Sequence, residues 1–168
     1  MGTISTNTIL AWLSALPLSE AIRTTGWLFP AIETVHVVAI SLVFGFALAM
    51  DLRLLNLVHR RISARQFVSG LAPAAMISFA VAAVSGALMF LVDSDAYFHN
   101  TYFRIKVCLI GMAGVNMVVF HWVTCRDIST WPARGSLPLK ARWAGGISCV
   151  IWTLVVFLGR WVGFTIQG

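Results

Sequence analysis

Few side chains in this sequence could do chemistry, and most of those interrupt long apolar runs. Glu33 and His36 stand three residues apart, on one face of any helix that carries them. Asp51 and Arg53 close the same run, while Lys106, Asn116 and His121 lie along a later one. Ionisable groups in a membrane interior are costly and usually face the inside of a bundle. Three chemistries suit Glu33, His36 and Lys106. In the first, Glu33 and Lys106 pair as ions across two helices and His36 is a hydrogen-bonded core residue. In the second, His36 is the axial ligand of a haem b, with Glu33 supporting the imidazole or Lys106 facing a propionate, because neutral imidazole is a common haem ligand. In the third, Glu33, His36 and Asn116 relay protons. Spacing alone leaves all three open.

Depth narrows the haem reading. A rise of ~1.5 Å per residue puts His36 roughly 10 Å below one membrane surface and His121 about 6 Å from the other, so the two do not clamp one iron. A second axial ligand at the right depth is Met112, Met89 or none at all, and His121 suits a second haem or a pairing with Asp51. His59, beside Arg60 and Arg61, and His99, beside Asn100, read as solvated surface histidines.

The elements that must position these groups follow from composition. The 168 residues are 59% hydrophobic and 11% charged, with a mean hydropathy of +0.86. An ordinary soluble domain is nearer half apolar and about a quarter charged, so the sequence reads as an all-α integral membrane protein in contact with a lipid bilayer. Three scattered cysteines, Cys108, Cys125 and Cys149, exclude a disulfide scaffold, and no Cys/His cluster suggests zinc. The net charge of +6 comes largely from two short loops rather than one solvated basic face, so no nucleic-acid partner is expected.

A spanning helix needs about 20 predominantly apolar residues. Four runs qualify: 27–50, 71–92, 103–125 and 144–163. The polar connections between them are short, which predicts consecutive helices packed antiparallel in one four-helix bundle over 27–168. Residues 1–26 form a separate segment. Its apolar stretch, 9–18, is too short to cross a bilayer and lacks the basic start of a signal peptide, so it reads as an interfacial helix that turns Ile9, Trp12, Leu13 and Leu16 toward lipid or the bundle. Small residues recur inside the spans: Ala75, Ser78, Ala82, Ser85 and Gly86 in the second, Gly111 and Gly114 in the third, Gly159 and Gly163 in the fourth. They serve close helix packing or leave room for the flat face of a cofactor.

The order of residues in 33–54, 71–90 and 102–121 resembles a group of bacterial four-helix membrane proteins and, more distantly, the HemJ-type protoporphyrinogen oxidases and CopD-like copper-resistance membrane domains. The resemblance covers about 27–123. His36, Gly45, Arg53, Gly86 to Met89, Lys106 and His121 fall where the HemJ-type pattern has like residues, whereas Asp51 and Glu33 depart from it. It implies that His36 is a haem ligand and Lys106 is essential. The expectation is therefore an inner-membrane haem b protein that passes electrons between a quinone or porphyrinogen and an acceptor, with Lys106 and Glu33 setting the charge near the haem and Arg53 with Asp51 fixing the end of the first span. A HemJ-like porphyrinogen-oxidising enzyme and a non-redox accessory subunit are the rivals. A homo-oligomer or a larger membrane complex is compatible with all three.

Orientation follows from Lys and Arg near the spans. The loops after the first and third spans hold Arg53, Arg60, Arg61, Arg65, Arg126, Arg134, Lys140 and Arg142, eight of the 12 basic residues, and the other side holds Arg23, Arg104, Lys106 and Arg160. Both termini are expected on the periplasmic side of a bacterial inner membrane. An alkaline-phosphatase fusion at Gly168 should be active and a cytoplasmic fluorescent reporter there silent; the opposite result reverses the orientation.

Overall fold

The computed structural model describes residues 6–58, 61–120, 122 and 137–166. It is all-α, with no strand among the described residues: α1 (Thr6–Ser14), α2 (Pro17–Thr24), α3 (Leu28–Leu54), α4 (Ala64–Val92), α5 (Ser94–His99), α6 (Thr101–Val119) and α7 (Leu139–Ile166). The helices α3, α4, α6 and α7 are each long and apolar enough to span a membrane. The chain thus has the four candidate spans of a multi-pass membrane protein. Even spans bring the ends of the bundle that carry the two termini to one side, here termed the terminal end; the α3–α4 connection and the start of α7 define the opposite, basic end.

The spans α4, α6 and α7 start earlier than hydropathy alone predicts, and polar caps at Ser63 and Asn100 extend the first two. The Ser63 hydroxyl accepts from the Gln66 amide at 3.2 Å, so α4 begins at Ala64 rather than near 71. Pro73 lies inside this helix, a position that neighbouring helices and side-chain hydroxyls make tolerable in spanning helices. At the far end of α3, Asn56 takes a φ of 64°, a left-handed conformation that Asn tolerates better than most residues and that turns the chain out of the helix.

The segment before the spans is two helices rather than one, broken at Pro17. Leu10, at 4% exposure, is the side chain of α1 that the bundle buries, while Ile9 and Trp12 face outward at 47% and 62%. Hydroxyls hold the pair down. Ser14 donates to the Ser94 hydroxyl at 3.2 Å, the Ser94 amide donates to Ser14 at 3.3 Å, and buried Ser19 donates to the Leu91 carbonyl at 2.8 Å. These bonds dock α1 and α2 onto α4 and α5.

In the bundle, α3 packs against α4 and α7, and α7 packs against α6. Although joined by a short connection, α4 and α6 do not pack along their length as the connection length predicted. The short helix α5 intervenes, and they meet where Phe90 stacks on Phe103 with centroids 5.6 Å apart. Small side chains set the close contacts. Ala39, Val43 and Ala47 form the buried stripe of α3, and Ser78, Ala82 and Ser85 that of α4. The tightest crossing joins α3 to α7: a Cβ on Gly145 would lie 3.0 Å from Leu54 Cβ and 3.1 Å from the Asp51 carbonyl oxygen. By contrast, Gly111, Gly114 and Gly163 have no neighbour within 4 Å. Outward faces stay apolar and exposed, as at Met76, Val84 and Val115, which is compatible with lipid contact.

These contacts predict opposite outcomes for two glycines. Gly145→Ala should destabilise the bundle by about 1–3 kcal/mol through overpacking, read as a lowered Tm in detergent. Gly111→Ala should leave the Tm unchanged or raise it, since helix propensity gains and nothing is displaced.

Candidate functional site

The sequence-selected residues do not form one cluster. Glu33 and His36 lie on the terminal half of α3, and Lys106 on the terminal half of α6. Arg53 lies 17 residues beyond His36 on the same helix, roughly 25 Å away along its axis. Its role there is mechanical. At 1% exposure, its Nε and Nη2 donate to the Ile62 carbonyl at 3.2 and 2.8 Å, tying the end of α3 to the turn before α4. Asp51 is 4% exposed and takes a hydrogen bond from Ser148 on α7, with Oδ2 buried and without a partner. No ion pair joins Asp51 to Arg53 among the described residues.

His36 is the most closely defined of the set. Its Nδ1 lies 3.0 Å from Ser85 Oγ. The Ser85 hydroxyl has one proton and also lies 2.7 Å from the Val81 carbonyl and 3.2 Å from the Ala82 carbonyl. When that proton goes to either carbonyl, Ser85 accepts from His36, and the ring carries its hydrogen on Nδ1 and its lone pair on Nε2. Beneath the ring is Gly86, where a Cβ would come within 2.8 Å of His36 Cε1. Only glycine lets the imidazole rest there. Beside Ser85, an apolar groove of about 450 Å³ opens between α3 and α4, lined by Ile32, Val35, Val84 and Leu88.

Lys106 is partly buried, its Nζ 5.2 Å from the centroid of the Phe103 ring and its chain against Gly159 of α7. Its charge reaches His36. The expected Glu33–Lys106 ion pair is not formed, since no ion pair among the described residues includes either group. Glu33 acts instead on Tyr97 of α5, whose ring contacts Phe90 and Phe103 at centroid separations of 6.2 and 5.4 Å. Burial first, then the carboxylates of Glu33 and Asp93, push the Tyr97 phenol above its ordinary range.

The remaining residues are placed as follows. Asn116 Nδ2 donates to the Ala144 carbonyl at 3.2 Å and so links α6 to α7. Met112 is 55% exposed on the outward side of α6, and Met89 on α4 is partly buried. His99 is exposed and interacts with Asp95, as a surface histidine should. His121 and His59 lie outside the described residues. No group of three or more His, Cys, Asp or Glu side chains able to hold a metal ion occurs among the described residues. Sequence reading missed Ser85 as the partner of His36. The signal was depth: Ser85 lies seven residues from the end of α4 and His36 eight from the start of α3, about 10–12 Å from the same surface.

No family model matches the chain, and no curated protein or solved structure matches it.

The raised phenol gives a test of the Glu33–Tyr97 relation. In a Tyr102→Phe background, the tyrosinate absorbance of Tyr97 should rise at a pH above the ordinary phenol value, and Glu33→Gln should move that midpoint back down. Because the fold disfavours the phenolate, stability should fall as pH rises past about 10, where the unfolded chain ionises first.

Proposed function

We propose that the protein is a membrane electron-transfer protein that carries haem b on His36. One observation carries the reading: His36 Nδ1 lies 3.0 Å from Ser85 Oγ, whose own proton is within reach of the Val81 carbonyl, an arrangement that favours hydrogen on Nδ1 and a lone pair on Nε2. Haem ligands of this kind are oriented by an acceptor on their second nitrogen, and the ring is further fixed by its contact with Gly86. The residues fit the group in two respects. A single imidazole nitrogen is all that axial ligation requires of the chain. The uncompensated Lys106 ammonium offers a propionate its counter-charge. Haem supplies reversible one-electron chemistry when bound; the chain supplies the ligand, its tautomer and the local charge. The setting is a bacterial inner membrane with both termini periplasmic, and the electron partner is a quinone or a porphyrinogen.

A second reading, oxidation of a porphyrinogen by a HemJ-like enzyme, draws on the same Lys106, because a cation that suits a haem propionate also suits the acid side chains of a tetrapyrrole substrate. Turnover of protoporphyrinogen by the purified protein separates the two.

Purified wild-type protein should show a Soret band that shifts on dithionite reduction. His36→Ala should remove it, and His99→Ala should leave it intact. Ser85→Ala should retain haem with affinity weakened about 10–100-fold, the usual cost of losing the partner of a ligating histidine. Folded wild-type protein that is colourless from haem-replete cells overturns the reading.

A further inference from the structure

The two ends of the bundle treat charge differently. At the terminal end the signs are mixed, with Glu20, Glu33, Asp93 and Asp95, and among the described residues Arg23 pairs with Glu20 while the His99 ring lies 3.3 Å from the Asp95 carboxylate. At the basic end Arg61, Arg65, Lys140 and Arg142 are all exposed, and none makes an ion pair among the described residues. The one described carboxylate near them, Asp51, is buried and turned to Ser148. Neither α4 nor α7 has an acidic residue in its first turn, so the positive ends of two helix dipoles add to the same field.

Packing brings these cations together. Leu54, Ala64, Leu137 and Ala141 form one buried cluster that joins the end of α3 to the starts of α4 and α7. Arg65 follows Ala64, while Lys140 and Arg142 flank Ala141. The cations therefore surround a single junction. They share it with exposed apolar side chains: Leu57 at 62%, Ile62 at 42%, Leu139 at 65% and Trp143 at 65%. A face made for a water-soluble acidic protein would not alternate cations with bare Leu, Ile and Trp. The boundary between acyl chains and headgroups requires such a mixture, because aromatic and aliphatic groups sit below the phosphates and Lys or Arg at their level.

We propose that the junction of α3, α4 and α7 at the basic end is a binding surface for acidic phospholipid, whose phosphates meet Arg65, Lys140 and Arg142 around the junction and whose chains lie against Leu139 and Trp143. Arg61 extends the field toward a second headgroup. This site is separate from His36, which lies at the other end of α3.

The test uses the full chain in neutral detergent, titrated with phosphatidylglycerol, with phosphatidylcholine of the same acyl chains, and with inorganic phosphate, bound lipid being counted by native mass spectrometry. Phosphatidylglycerol should bind at least tenfold more tightly than phosphatidylcholine, and equimolar inorganic phosphate should not displace it. Each cation near an anionic surface is worth about fivefold in affinity, so Arg65→Gln/Lys140→Gln/Arg142→Gln should abolish the preference, whereas Arg104→Gln/Arg160→Gln at the terminal end should keep it. Raising salt from 50 to 500 mM should weaken the wild-type preference without any substitution, which covers a triple variant that fails to fold. Equal affinity for the two lipids overturns the proposal and leaves an acidic protein as the partner class. Displacement by inorganic phosphate, or a preference indifferent to salt, overturns it too.

Discussion

In lipid, two helices gain nothing from hiding apolar surface against each other, since the acyl chains are as apolar as leucine; what holds them is close contact and a few hydrogen bonds. In this bundle that constraint acts most strongly at Gly145, which lets α7 come within van der Waals reach of the α3 backbone at Asp51 and of Leu54. The contact makes α3 the hub, flanked by α4 and α7, and places α6 on the far side of α7. Other features depend on this arrangement. With α4 and α6 apart along their lengths, they are joined at the terminal end through Phe90, Tyr97 and Phe103, and the charge of Lys106 on α6 acts on His36 of α3.

Polar groups inside such a bundle must find partners, because water is not there to supply them. Among the buried hydroxyls, those of Ser19 and Ser85 do so through main-chain carbonyls. Ser85 bonds back to Val81 and forward to His36; Ser19 reaches Leu91 across helices. Arg53, the largest fully buried side chain, spends its guanidinium on the Ile62 carbonyl and so fixes the turn that starts α4. Asp51 has one oxygen bonded by Ser148 and the other buried without a hydrogen-bond partner among the described residues. It lies far along α3 from His36, so its consequence is for the α3–α7 junction rather than for the imidazole.

Among the described residues no three metal-ligating side chains gather, and His36 stands as one imidazole beside Ser85 and against Gly86. On the proposed function it would hold a cofactor that brings its other ligands with it. Lys106, over an aromatic ring and with no carboxylate beside it, is the kind of charge that an acidic cofactor or substrate satisfies. The cations of the basic end have a different outlook, toward the membrane surface.

What the sequence by itself determined was set by hydropathy and by residue count: four spans, an even number that brings the two ends of the bundle to one side, and an amino-terminal segment too short to cross. These follow because a bilayer imposes a length and a polarity that any spanning segment must meet one residue at a time. Helix boundaries were less legible, since Ser63 begins α4 in residues that hydropathy counts as loop, and the helical break at Pro17 and the short α5 lay within segments read as single units. Which polar groups meet was decided by the tertiary structure alone. Glu33 and Lys106, opposite in sign and similar in depth, do not pair, while His36 meets Ser85 and Glu33 acts on Tyr97. Depth can be counted along a sequence, but rotation about each helix axis and the order of neighbours cannot. Both are set by where glycine and small residues allow two backbones to touch, at Gly145 for α3 and α7 and at Gly86 for the imidazole of His36.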